Sequence, residues 1–152
     1  MTQSKFNQPI TKLFALVAIC FACFGFSTNF GLDRFEIFLN NKLLLKQTVN
    51  QPLNLRVLQL EEAKPDDLLR INYIHCMNKS SGTDRNITLV DEKGNTLKTW
   101  TFTNSSGKDL SMTIPVKELL QLKRANPKNV FSLFYTAREL PKGETLSKLK
   151  FG

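Results

Sequence analysis

The chain has 152 residues, 41% of them hydrophobic and 22% charged, with 21 Lys and Arg against 13 Asp and Glu for a formal net charge of +8. That composition excludes a disordered tail, and the length lets one domain bury about two-thirds of its extended-chain surface. Three cysteines, two of them within the first thirty residues, exclude an intramolecular disulfide framework for the rest of the chain.

Residues 1–27 differ from everything after them. Lys5 and Lys12 precede the uncharged run LFALVAICFACFGF at 13–26, and Gly25 and Ser27 stand at the −3 and −1 positions of a small-residue cleavage site. A basic start, an apolar centre and small residues describe a cleavable secretory signal peptide. An amphipathic helix would carry a polar face, which this run lacks, and its 14 residues fall short of the roughly 20 that span a bilayer. Lipid attachment through Cys23 is the weaker alternative: Ala22 is acceptable before it, but Cys20 and Phe21 occupy positions where Leu and a small residue are usual. The expected product is residues 28–152, a single domain in the periplasm, cell envelope or medium. It has no transmembrane span, and Cys76 is its one thiol.

RFEIFLN at 34–40 puts Phe35, Ile37 and Leu39 on one face, and Asn40-Asn41 suits a tight turn into KLLLKQTV. LNLRVLQL at 53–60 alternates through Leu53, Leu55 and Val57, then changes phase at Leu58 and Leu60, as a bulged strand would. After the polar stretch EEAKPDD, LLRINYIHC sets Leu69, Ile71, Tyr73 and His75 on one face. NITLVDEKGNTLKTWTF at 86–102 is the clearest hairpin, turning at Glu92 to Asn95 with Gly94 free to adopt positive φ. Trp100 and Phe102 share a face of its second strand. DLSMTI predicts a short strand, and PVKELLQLKRAN the one helix, with Pro115 at its first helical position and Val116, Leu119 and Leu120 at i, i+3 and i+4. VFSLFYTA at 130–137 predicts a central strand, ELPKGE a turn, and TLSKLKF a last strand. Eight or nine short strands with one helix predict a mainly β fold, an antiparallel two-sheet sandwich, immunoglobulin-like in the broad sense.

His75, Cys76 and Met77 are the residues that look like chemistry. A Cys-His pair needs the imidazole within hydrogen-bond reach of sulfur, yet neighbours on a strand point to opposite faces, and the chain has no second histidine. Imidazole, thiolate and thioether together would suit copper in an exported protein, but a site needs three or four convergent ligands. The favoured expectation is a capped strand-end histidine and a buried thiol, with no cofactor. Gly82, Asp84 and Arg85 read as a turn fixed by hydrogen bonds or a surface ion pair. With Cys76 and Trp100 they are the candidate structural or interaction residues. Lys and Arg are scattered, with no run longer than two; export argues against nucleic acid and leaves an anionic surface, a glycan or another envelope protein as partner.

The motifs LLRINYIHC, Gly82, Arg85, ITLVDEKGNTLKTWTF, MTIPVKELL and LFYTARELPKG resemble a group of small exported proteins of Bacteroidetes bacteria that has no assigned activity. The resemblance covers about residues 34–150 and implies export and this fold, without implying a reaction. Both lines of reading lead to a non-catalytic exported β-sandwich acting as a binding or structural interaction module. A copper-binding protein using His75, Cys76 and Met77 is the competing expectation.

Overall fold

The computed structural model describes residues 31–76, 82–104 and 111–152. The expected signal peptide at 1–27, Cys23 and Met77 lie outside the described residues. Gly31 to Gly152 form one compact unit, a sandwich of two sheets. The first sheet has the order β2 (Lys42–Thr48), β1 (Arg34–Leu39), β4 (Leu68–Ile74), β7 (Ser111–Pro115), all antiparallel. The second has the order β3 (Val57–Gln59), β9 (Leu140–Lys150), β8 (Phe131–Ala137), β5 (Arg85–Val90), β6 (Thr96–Phe102). Its pairs are antiparallel except β3 with β9, which is parallel.

The alternation read from the sequence fixes which way each strand faces. Phe35 and Ile37 of β1, Leu69, Ile71 and Tyr73 of β4, and Met112 and Ile114 of β7 point inward and are fully buried. They meet Ile87 and Leu89 of β5 and Phe131, Leu133 and Tyr135 of β8 from the other sheet. Each such aliphatic or aromatic side chain contributes about 1.5–3 kcal/mol through its removal from water. The two sheets touch directly where Tyr73 stacks on Tyr135 with ring centroids 4.1 Å apart.

The turns follow their residue chemistry. Asn40 takes φ 52° between β1 and β2, a conformation asparagine tolerates. In the β5–β6 turn the Asp91 carboxylate accepts the N–H groups of Lys93 and Asn95 and the Asn95 amide, while Gly94 takes φ 82°. Those bonds, the Asn95 amide first, hold the Asp91 carboxyl below its ordinary range.

Helix α1 (Val116–Ala125) is the crossover from the first sheet to the second. Pro115 is its N-cap, one position earlier than predicted, and Val116 and Leu119 are buried. Leu120 is only half-buried. Trp100 Nε1 of β6 donates to Glu118 of α1 at 2.9 Å, and Lys98 of the same strand pairs with Glu118. The helix thus joins the edge strand of the second sheet through one carboxylate.

Two predicted segments fold differently. Leu53–Leu55 form a 3-10 turn instead of the start of a bulged strand. Pro52 fixes φ at −58°, and the N–H groups of Leu55 and Arg56 bond back to Pro52 and Leu53. The apparent phase change at Leu58 is therefore the start of β3 after a turn, where the chain passes from the first sheet to the second. The stretch ELPKGE is mostly strand: only Arg138 and Glu139 turn, and β9 runs from Leu140. Gly143 sits in β9 at φ 70° beside a register irregularity. A Cβ there would lie 2.3 Å from the Phe134 ring, so the aromatic ring fills the space a side chain would need.

Candidate functional site

Antiparallel pairing sets Arg34 of β1 opposite Ile74 of β4, so Asp33, just before β1, falls beside His75, just after β4. His75 Nδ1 lies 3.1 Å from Asp33 Oδ2, and the same oxygen accepts the Tyr73 hydroxyl at 2.9 Å. Asp33 Oδ1 accepts the Cys76 N–H at 2.8 Å. A carboxylate only accepts, which places the proton of a neutral imidazole on Nδ1 and leaves Nε2 as an acceptor. Nε2 faces the Tyr135 hydroxyl of the second sheet at 3.0 Å. The result is a continuous chain, Asp33 to His75 to Tyr135, that ties the two sheets at one end of the sandwich.

The imidazole and phenol of the chain are enclosed, while the Asp33 side chain is 20% exposed. His75 is 4% exposed and Tyr135 0%. Gly82, at φ 87°, lies directly against the bond: a Cβ there would sit 2.7 Å from His75 Nε2 and 2.8 Å from Tyr135 Oη. Burial pushes the Tyr73 phenol far up, and its bond to the Asp33 carboxylate adds to the rise. Burial likewise raises the Tyr135 phenol, with Arg85 opposing and Glu139 and Asp33 adding. Both phenols therefore stay neutral. Each of the three groups is hydrogen-bonded to another member of the chain. Carboxylate, imidazole and phenol here form a brace.

The other predicted residues are placed as follows. Cys76 is half-buried, where a buried thiol was expected; its Sγ lies against Gly31, at whose α-carbon a Cβ would approach it to 1.9 Å. His75 faces the core with the inward side chains of β4, and both its ring nitrogens are engaged. A metal on either nitrogen would displace Asp33 or Tyr135. Among the described residues no group of three or more His, Cys, Asp or Glu is arranged to hold a metal ion.

Asp84 and Arg85 do not pair with each other. Asp84, at φ 51°, pairs with Arg138 in the β8–β9 turn at 2.5 Å, and its N–H donates to Asn104. Arg85 is 3% exposed and donates to the Thr103 carbonyl at 2.7 Å. The Thr83 N–H and hydroxyl both donate to Glu139, so the loop holding Gly82 is anchored to the same turn. Trp100, half-buried on β6, is bonded to Glu118 as described.

Arg56 stands where the sequence reading had only a scattered surface charge. It is 4% exposed, and all its donors are used. Nε donates to the Gln51 carbonyl, Nη1 to Glu144 and the Thr145 carbonyl, and Nη2 to the carbonyls of Val49 and Gln51. This guanidinium fastens the chain after β2 to β9 and so closes one edge between the sheets. Asp33 and Arg56 both act across long sequence separations, and no local pattern marks either.

A cleft of about 260 Å³ lies at the far end of β1 from Asp33, lined by Leu39, Leu44, Gln59, Glu61, Glu62 and Ala63, with Lys42 at its rim. Among the described residues no helix is long and apolar enough to cross a membrane. No family model, curated protein or solved structure matches the chain.

Proposed function

We propose that the protein is an exported, non-catalytic β-sandwich of the periplasm or cell envelope that acts by binding. The observation carrying this reading is the closed Asp33–His75–Tyr135 chain: the groups best suited to catalysis are bonded to each other across the two sheets. Their role is to hold the end of the sandwich together. The uncharged run at 13–26, with its basic start and small-residue end, supports export. Its partner belongs to the envelope: a protein, a glycan or an anionic surface. The net positive charge favours the anionic members of that set.

Expression of the full chain with a C-terminal tag tests the proposal. The tagged protein should be released with the periplasmic fraction, with Thr28 as its first residue by N-terminal sequencing. Retention in the cytoplasm with residues 1–27 still attached would overturn export. Turnover of a small-molecule substrate that His75→Gln abolishes without unfolding the protein would overturn the non-catalytic assignment.

A further inference from the structure

The cleft at the far end of β1 from Asp33 is built by two local features. The first is a bulge in β2: Ile37 pairs with Leu45 and Phe38 with Leu43, so Leu44 has no partner on β1. An extra residue in one strand re-aims the side chains beside it. Here Leu45 enters the core, while Leu44 lies half-buried along the cleft. The second feature is the turn after β3, closed by the Ala63 N–H on the Leu60 carbonyl. Leu60 is buried and its own N–H bonds to the Lys150 carbonyl, which fixes the turn against β9. Leu39, Leu44 and Ala63 thus give the cleft an apolar lining, and the turn sets Glu61 and Glu62 along it.

The charges along the cleft are not all answered. Glu61 pairs with Lys150 at 2.8 Å. Glu62 and Lys42 have opposite charges and line the same cleft, yet they pair neither with each other nor with any other side chain among the described residues. A lysine without a partner is ordinary in a chain with 21 Lys and Arg against 13 Asp and Glu. An acid without one is not. Among the described residues every other Asp or Glu except Asp66 has a hydrogen bond or an ion pair. The cleft therefore offers a positive and a negative pole over one apolar surface, and low-dielectric walls strengthen the pull of each.

The two poles select the ligand. A carboxylate satisfies Lys42, an ammonium satisfies Glu62, and an apolar body covers Leu39, Leu44 and Ala63. A purely anionic molecule would bring its charge against Glu62, and a purely cationic one against Lys42. Size narrows the choice further. The volume of about 260 Å³ is below the roughly 300–1,000 Å³ of sites that hold drug-sized ligands, which suits a molecule of one or two residues. Gln59 adds an amide that can donate or accept at the same cleft.

We propose that this cleft binds a small apolar zwitterion, an amino acid or dipeptide with a free ammonium and a free carboxylate. Lys42 takes the carboxylate, Glu62 takes the ammonium, and the apolar side chain rests on Leu39 and Leu44. The site lies apart from the Asp33–His75–Tyr135 brace and is independent of the envelope partner proposed above.

Amide chemical-shift titration of the purified, isotope-labelled protein provides the test. L-leucine and leucyl-leucine should shift the amides of residues 39–44 and 59–63 saturably, and the tighter of the two identifies the ligand as amino acid or dipeptide. N-acetylleucine lacks the ammonium and leucinamide lacks the carboxylate; each should bind about threefold or more weakly than leucine. Lys42→Gln and Glu62→Gln, both at exposed positions that leave the fold intact, should each weaken leucine binding by a similar factor. Lys93→Gln, the same charge change in the β5–β6 turn, should leave it unchanged. Shifts that do not saturate, or that lie outside these two segments, would overturn the proposal. So would equal binding of leucine, N-acetylleucine and leucinamide, a loss in only one of the two cleft variants, or binding of phosphoethanolamine in place of leucine.

Discussion

At the scale of single residues, Gly82 and Arg56 do work that no other side chain in the same place could do. Gly82 combines positive φ with backbone contact against the His75–Tyr135 bond. Alanine there meets left-handed strain and a steric clash together, each of order 1–3 kcal/mol. Gly82→Ala should therefore lower unfolding stability by about 2–4 kcal/mol, read from the midpoint of urea denaturation at unchanged slope. Arg56→Ala strands the carbonyls of Val49, Gln51 and Thr145 and leaves Glu144 without its cation. A loss of about 2–4 kcal/mol is expected, chiefly from the carbonyls left unpaired, because Glu144 keeps access to water. Arg56→Lys should not restore it, because an ammonium has three donors and no planar fork. The role of Gly82 as a turn residue was legible, since a glycine among polar residues predicts a turn. Its place against the His75–Tyr135 bond was not, because Tyr135 comes from 53 positions further along the chain.

Among the elements, the strands were the most legible and the connections the least. Period-two alternation identified β1 and β4, β-rich runs on either side of a turn identified β5 and β6, and a run apolar on both faces identified β8. The segment before β3 misled, since Leu53 and Leu55 mimic that alternation while forming a 3-10 turn; two apolar residues spaced by two fit either structure. Helix α1 was predicted from its spacing, but its pairing with β6 depends on sheet order. That pairing sets a pH dependence. Bonds from Lys98, then Trp100, hold the Glu118 carboxyl below its ordinary 4.5. A carboxyl depressed in the folded state stabilises above its unfolded value and ceases to as pH falls through the folded one. Thermal stability should therefore decline as pH drops below about 4.5, and Glu118→Gln should be less stable than the parent at pH 7 but nearly equal to it at pH 2–3. Differential scanning calorimetry across that range checks both statements.

For the whole molecule, the decisive contacts are those between the sheets. Tyr73 and Tyr135 stack across the interface and sit in one hydrogen-bonded cluster with Asp33 and His75. Both phenols are raised above their ordinary 10.0, chiefly by burial. A group raised in the folded state holds its contribution below the unfolded value and loses it as pH rises beyond. Stability should therefore fall above about pH 10, with tyrosinate absorbance appearing together with loss of the β-sheet circular dichroism signal. Tyrosinate absorbance from Tyr73 and Tyr135 at that pH with the fold intact would contradict this. Tyr73 was legible as sharing a strand face with Leu69 and Ile71, whereas Tyr135 lies in a run apolar on both faces, which left its direction open. That they meet each other, and meet a histidine, follows from how the sheets face.

The sequence by itself determined which residues of β1 and β4 face inward, where the β1–β2 and β5–β6 hairpins turn and that the fold is mainly β. These depend on local periodicity and on residues such as Asn40, Gly94 and Pro115, whose backbone preferences act within a few positions. Tertiary structure decided the fate of the polar residues. His75 became part of a brace because strand pairing brought Asp33 to one nitrogen and sheet packing brought Tyr135 to the other. Arg56 became a buried clamp because the chain after β2 had to be fastened to β9. Hydrogen-bond partners separated by tens of residues are fixed by register and sheet order, which local sequence does not encode.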